Sequence, residues 1–232
     1  MSKADRTIKG CIFNLDGVLV DTAKYHYIAW RRLANQMGFD FSPQQHEMLR
    51  GLSRMASLER VLEWGGDIYM TEAEKLHWGD VKNNWYVSMV LEMTPDEVLP
   101  GVLGFLADVR DAGCKVALSS ASRSAREVLR TTKLQPYFDE IVDGNQSRKH
   151  KPDPEGFLMA ADALRLRPQE CLVFEDSAAG VLAGLAGRFH VVGIGSTESL
   201  PKANHVIPGF EGKSFGELLE QMELVTDLLV MG

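Results

Sequence analysis

The sequence predicts a doubly wound parallel α/β sheet carrying an inserted, all-helical domain. Three observations lead there. Short apolar runs alternate with segments of helical periodicity. Several of those runs end in polar, chemistry-bearing residues. The stretch after the first run is too long for a single crossover connection.

Residues 8–13 form the first apolar run and read as a strand buried on both faces, because apolar residues there do not alternate with polar ones. Residues 23–94 then read as largely helical. Ile28, Leu33, Ala34 and Met37 recur at helical spacing and stop at Gly38. Leu58, Val61 and Leu62 mark a second helix, stopped by Gly65-Gly66. Thr71 with Glu74 three residues on is a capping-box pattern that opens a third. The insertion is expected to be a separate cap of residues 21–94, joined by linkers near 20–22 and 94–100. Residues 1–20 plus 95–232 are left as the α/β core. In that core, Val102, Phe105, Leu106 and Val109 lie on one helical stripe ahead of a second strand at 115–118. Strands at 140–142, 172–174 and 190–194, with a weaker one at 205–207, alternate with helices at 126–132, 155–164 and 178–185. Residues 215–229 read as a closing amphipathic helix.

Of the 232 residues, 45% are hydrophobic and 25% charged, ordinary values for a globular protein. No apolar run approaches the roughly 18 residues of a membrane span, and residues 1–6 lack the apolar core of a signal peptide. A cytoplasmic protein with no membrane partner is expected, and a monomer. The net charge of −7 argues against nucleic acid as the main partner. It still allows a small phosphate ligand held by a few local cations. Cys11, Cys114 and Cys171 are too few and too scattered for a disulfide framework and are expected to be buried thiols.

Ligands of open α/β sheets bind at the carboxyl ends of the strands. Three predicted strands end in polar groups: Asn14 and Asp16, Ser119-Ser120-Ala121-Ser122, and Glu175-Asp176. Asp16, Glu175 and Asp176 are hard oxygen donors that suit Mg²⁺. Taken alone, Glu175-Asp176 reads equally as the acidic first turn of a helix. Ser120 offers a hydroxyl and backbone N–H groups to a phosphate at a helix start, or is an ordinary N-cap. Lys151, set among Pro152 and Pro154, offers a charge to a phosphoryl group or is simply solvated.

The segments Ile12-Phe13-Asn14-Leu15-Asp16-Gly17-Val18, Ser119-Ser120, Lys151-Pro152 and Glu175-Asp176-Ser177 together resemble the four motifs of the haloacid dehalogenase superfamily of phosphoryl-transfer enzymes, in order and spacing. The resemblance covers almost the whole chain and implies a Rossmannoid core. The insertion point is similar to that of members with a small helical cap. Asp21-Thr22-Ala23-Lys24-Tyr25-His26, Leu49-Arg50-Gly51-Leu52-Ser53-Arg54 and Lys82-Asn83-Asn84-Trp85 narrow it further. They resemble members that interconvert β-glucose 1-phosphate and glucose 6-phosphate through a 1,6-bisphosphate, with Mg²⁺ as cofactor.

The resemblance implies a role for each matching position. Asn14 takes the place of the nucleophilic aspartate, and Asp16 that of the general acid/base. Asn14, Asp16, Glu175 and Asp176 are implied as metal ligands, Asp16 through its backbone carbonyl. Ser120 and Lys151 are implied to hold the transferring phosphoryl group. Arg54 would grip the other phosphate, with Ser122 and Arg123 assisting. His26 and Lys82 would couple substrate binding to cap closure, and Gly51 and Leu52 would line the sugar. Without the resemblance, Arg54 reads as a local salt bridge, His26 as a helix-surface histidine and Lys82 as solvated. Arg123 and Ser124 depart from a lysine and an asparagine in better-known members; arginine keeps the charge and changes its geometry.

Asn14 is the larger departure. An amide oxygen is a poor, uncharged nucleophile. The expectation is a chain that binds Mg²⁺ and sugar phosphate but turns over on the order of 10³-fold more slowly, or worse. It reads as an asparagine exchanged into an otherwise complete aspartate site, or as a natural relative that binds sugar phosphate without turnover. A phosphatase of the same fold is the remaining enzymatic alternative.

Overall fold

Gly10–Phe13 carries only small and apolar side chains, all buried, and this places it in the interior of a parallel sheet. The computed structural model describes residues 7–49 and 52–227. Its strands are β1 (Thr7–Ile8), β2 (Gly10–Phe13), β3 (Lys115–Ser119), β4 (Glu140–Val142), β5 (Cys171–Glu175), β6 (His190–Ile194), β7 (His205–Ile207) and β8 (Val225–Thr226). The main sheet has six parallel strands in the order β4-β3-β2-β5-β6-β7. From β2 the chain steps outward through β3 and β4, then returns to the other side of β2 with β5, β6 and β7. That reversal opens a crevice at the carboxyl ends of the central strands. Phe13 is in register with Leu118 and Phe174, so Asn14, Ser119 and Glu175 follow at one level of the sheet.

Helices α1 (Ala23–Gln36), α2 (Pro43–Glu47), α3 (Arg54–Trp64) and α4 (Glu72–Leu91) come from the insertion. Helices α5 (Val102–Asp111), α6 (Ala125–Thr131), α7 (Glu155–Leu164), α8 (Ala178–Ala186) and α9 (Phe215–Gln221) belong to the sheet-bearing part. The chain divides into two compact units, one of them Thr22–Met93 and the other built around the sheet from the segments on either side.

Each unit has its own core. In the sheet unit, Phe13 stacks on Phe174 with ring centroids 4.5 Å apart, and Phe105, Phe138 and Phe210 meet it edge-on or tilted. Ile12, Ala117 and Val173 belong to a second cluster with Phe157, Phe189 and Val191. In the helical unit, Trp30, Leu33, Ala34, Phe41, Leu58, Val61 and Leu62 form the buried cluster. The capping box of α4 is present: Glu74 N–H donates to Thr71 Oγ1 at 3.3 Å and Thr71 N–H to Glu74 Oε2 at 2.8 Å. Ser42 and Gln45 form a second capping box on α2.

Several expectations need correction. The run 8–13 is not one strand: β1 pairs with β8, and after Lys9 the chain joins the main sheet as β2. The closing helix stops at Gln221. Glu223 turns left-handed at φ 54°, Leu224 N–H bonds back to Leu219 O at 2.8 Å, and the chain continues into β8. Residues 228–229 of the expected helix lie outside the described residues. Ile28 is 48% exposed, because the buried stripe of α1 runs through Ala29, Trp30, Leu33 and Ala34. Cys11, Cys114 and Cys171 are free and buried. No helix among the described residues is long and apolar enough to cross a membrane.

The Phe13 ring contacts give the first test. Phe13→Ala is expected to lower the free energy of unfolding by about 3–5 kcal/mol, read from urea denaturation. A loss below about 1 kcal/mol would show that the aromatic cluster does not anchor the sheet.

Candidate active site

The ladder of β2 continues one residue past the strand, where Asn14 N–H donates to Phe174 O at 3.0 Å. This carries the Asn14 side chain, 7% exposed, to the carboxyl edge of the sheet. Its amide is held on both sides. Lys151 Nζ donates to Asn14 Oδ1 at 3.2 Å, while Asn14 Nδ2 donates to Asp16 O at 3.0 Å and to Asp176 Oδ1 at 3.1 Å. The turn beyond Asp16 depends on Gly17, whose φ is +72° and whose N–H donates to Val20 O at 2.9 Å. A Cβ on Gly17 would collide with the Asp176 carboxylate.

Glu175, fully buried at the end of β5, divides its two oxygens. Oε2 accepts from Ser177 N–H at 2.8 Å and from Ser177 Oγ at 2.9 Å. Oε1 takes the ammonium of Lys151. Ser177 Oγ also caps α8, accepting from Gly180 N–H at 3.1 Å. Gly180 has no room for a Cβ, because the Glu175 carboxyl group occupies that space. Sequence reasoning includes Ser177 in a motif but gives it no role; its signal is a hydroxyl directly after Glu175-Asp176 and three residues before a glycine.

Burial pushes the Asp16 carboxyl up to about pH 6; the nearby Lys151 charge works against this, and Glu175 and Asp21 add to it. The group is therefore poised to hold or release a proton close to neutral pH.

Ser120 and Lys151 line a common cavity. Ser120 is not at a helix start, since α6 begins only at Ala125. It opens a turn in which its Oγ accepts from Ser122 N–H at 3.1 Å, and Ser122 Oγ accepts from Ser124 N–H at 3.3 Å. Arg123 is exposed on this loop, and its carbonyl accepts from Asn145 Nδ2 at 3.0 Å.

Asn14, Asp16, Glu175 and Asp176 are the ligands that the resemblance implies for Mg²⁺. Among the described residues, no group of three or more His, Cys, Asp or Glu side chains is gathered to hold a metal ion. Lys151 and Ser177 engage the Glu175 carboxylate, and Asp16 turns to Asn14 its backbone carbonyl, the atom through which the resemblance implies it as a ligand. The donor chemistry still fits a hard cation. Asp16 O and Asp176 Oδ1 converge on one point, now taken by the Asn14 amide nitrogen at 3.0 and 3.1 Å.

The helical unit holds the remaining expected residues. Lys82 is buried, not solvated, and its Nζ lies 2.8 Å from His26 Nδ1. His26 stacks on Tyr86 at 4.0 Å, and the Lys82 ammonium lies over the Trp30 and Tyr86 rings at 4.6 and 5.3 Å. Burial, then the Lys82 charge, pushes His26 well below its ordinary value, so the neutral ring accepts from the lysine. Arg54 is engaged locally, with Nη1 2.8 Å from Asp80 Oδ1 and 3.4 Å from Gly79 O. Leu52 is exposed, and Gly51 lies outside the described residues.

The haloacid dehalogenase-like hydrolase profile matches residues 8–187. The β-phosphoglucomutase of Bacillus subtilis (strain 168) is 37% identical over 201 residues, covering 86% of this chain and 89% of that protein. A phosphorylated carbohydrates phosphatase of Thermotoga maritima is 32% identical over 178 residues, covering 76% and 80%. The crystal structure of a β-phosphoglucomutase from Clostridium difficile matches with a TM-score of 0.88 at 41% identity, covering 97% of this chain and all of that one.

The Asp16 environment predicts a titration. Carbon-13 NMR should place its carboxyl midpoint near pH 6, and Lys151→Met should move it higher by removing the opposing charge. Because the folded value lies above the unfolded carboxylate value of about 3.9, the proton stabilises the fold. That contribution is complete below about pH 4 and is lost as pH rises through about 6. Asp16→Asn should flatten this part of the stability profile in urea melts. A midpoint near 4 in the unsubstituted chain would refute the assignment.

Proposed function

Because this chain belongs to the haloacid dehalogenase-like hydrolase family, we propose that it carries the machinery of a β-phosphoglucomutase with Asn14 in the place of the nucleophile. Its substrates would be β-glucose 1-phosphate and glucose 6-phosphate. The observation that carries this reading is the Lys151 ammonium set 3.2 Å from Asn14 Oδ1, at the strand end where Asp16 follows two residues on. The B. subtilis and C. difficile relatives support the mutase over other chemistries of the family.

With a carboxylate at position 14, that oxygen attacks phosphorus and the bond from phosphorus to the sugar oxygen breaks. The Asp16 carboxyl gives its proton to the departing oxygen. In the other half, the free hydroxyl of a sugar monophosphate attacks the phosphorus of the aspartyl-phosphate, the bond from phosphorus to the aspartate oxygen breaks, the hydroxyl proton passes to Asp16, and the 1,6-bisphosphate forms. Lys151 orients the moving phosphoryl group and offsets its charge, and the Ser120 hydroxyl steadies it. Residue 14, Asp16 O, Asp176 and Glu175 would hold Mg²⁺, which would supply further charge compensation when bound. Arg54, Ser122 and Arg123 are proposed to hold the phosphate that is not transferred. His26 and Lys82 are proposed to link substrate binding to closure, and Gly51 and Leu52 to line the sugar.

Asn14 stops this cycle at its first step. Its amide cannot accept the phosphoryl group, and turnover falls on the order of 10³-fold or more. Asn14 is held by Lys151, Asp16 and Asp176, and it carries no negative charge, which favours ground-state binding of an anionic sugar phosphate. A phosphatase reading draws support from the T. maritima relative. A non-catalytic sugar-phosphate binder draws support from Asn14 itself.

Restoring the carboxylate separates these readings. Asn14→Asp, assayed with β-glucose 1-phosphate, Mg²⁺ and a trace of 1,6-bisphosphate, should produce glucose 6-phosphate on the order of 10³-fold faster than the Asn14 form. Release of inorganic phosphate alone would favour the phosphatase. Binding without any reaction would favour the non-catalytic protein. In the restored enzyme, Arg54→Ala should raise KM for the sugar phosphate roughly tenfold; an unchanged KM would remove Arg54 from the phosphate grip.

A further inference from the structure

Lys151 sits in a loop between β4 and α7 that no strand pairing supports. A lysine stem is long and flexible, so its ammonium stays in one place only if the backbone at its root is held. The loop carries a device that does this. Glu155, the first residue of α7, turns its carboxylate back over the residues preceding Lys151. Its Oε2 accepts from Arg148 N–H at 2.7 Å, from Lys149 N–H at 2.7 Å and from Ser147 Oγ at 3.1 Å. Asp153 closes the other side. It pairs with Lys149 Nζ at 3.2 Å, accepts from Glu155 N–H at 3.0 Å, and donates its own N–H to His150 O at 3.0 Å. The lysine enclosed by these bonds reaches Asn14 and Glu175, and its ammonium lies 5.2 Å from the Phe157 ring centroid.

We propose that Glu155 is a positioning residue for Lys151: its carboxylate ties down backbone N–H groups of residues 148 and 149 and thereby aims the ammonium at residue 14. The backbone bonds from Lys149 and Arg148 also hold the Glu155 carboxyl below its ordinary range, so it stays ionised and keeps its grip at neutral pH. The helix N-terminus favours the same negative charge. The consequence for turnover rests on the mutase reading above. The aiming of Lys151 does not.

Two arms keep the two claims apart. In the chain as it stands, NMR of the Lys151 Hε protons should show two inequivalent signals shifted by the Phe157 ring. In Glu155→Ala they should collapse towards a single solvent-like position, with amide exchange at Arg148 and Lys149 accelerated. In Glu155→Gln, which keeps an accepting oxygen, they should be largely preserved. Unchanged Lys151 signals in Glu155→Ala would overturn the proposal, whatever happens to stability. In the Asn14→Asp form, Glu155→Ala should lower kcat roughly tenfold to a hundredfold and change KM less than about threefold. Added to Lys151→Met, it should cost less than about twofold more. An equal loss of kcat in both backgrounds would show that Glu155 does not act through Lys151. If Asn14→Asp turns over no sugar phosphate, the mutase reading fails and the Lys151 signals alone decide the role of Glu155.

Discussion

A carboxylate with no exposure to water has to be answered, and in this molecule the answer is Lys151. Glu175 lies at the end of β5 with none of its surface exposed. Leaving such a group ionised without partners costs several kcal/mol even after relaxation, on the order that buried ions incur. Ser177 satisfies one of its oxygens and Lys151 the other. Once the lysine is committed there, its ammonium also selects the orientation of the Asn14 amide, oxygen towards Lys151 and nitrogen towards Asp16 and Asp176. One buried charge thus orders residues from two strand-end segments and a loop.

The alternation of strands and helices is legible because burial imposes it residue by residue. Strands at 140–142, 190–194 and 205–207 have the expected limits. What the chain does not announce is pairing. Nothing in residues 8–13 says that Ile8 will pair with Thr226 while Gly10 joins the main sheet. The apolar residues 218, 219 and 224 fit a helix as well as a helix that stops and returns as a strand, and the left-handed Glu223 decides.

The same division runs through the site. Asn14, Asp16, Glu175 and Asp176 are legible because strand ends converge by topology. Their partners are less so. Ser177 and Glu155 act through hydrogen bonds to neighbours, a role that many serines and glutamates fill at helix starts without any chemistry. Lys82 reads as a surface residue on composition alone, yet it is enclosed by Trp30, Tyr86 and His26, which a stem of four methylenes and a cation–π face make tolerable. Arg54 and Asp80, twenty-six positions apart, find each other only once α3 and α4 are packed.

Gly180 carries a consequence for anyone seeking a hardier protein. Glycine inside a helix weakens it by about 1 kcal/mol relative to alanine, so the first turn of α8 is an obvious place to look for added stability. The space an alanine methyl needs is already filled by the carboxyl group of Glu175. The helix therefore keeps a glycine where the sheet ends in a charge, and resistance to heat and readiness of the site compete for the same volume of a single methyl group.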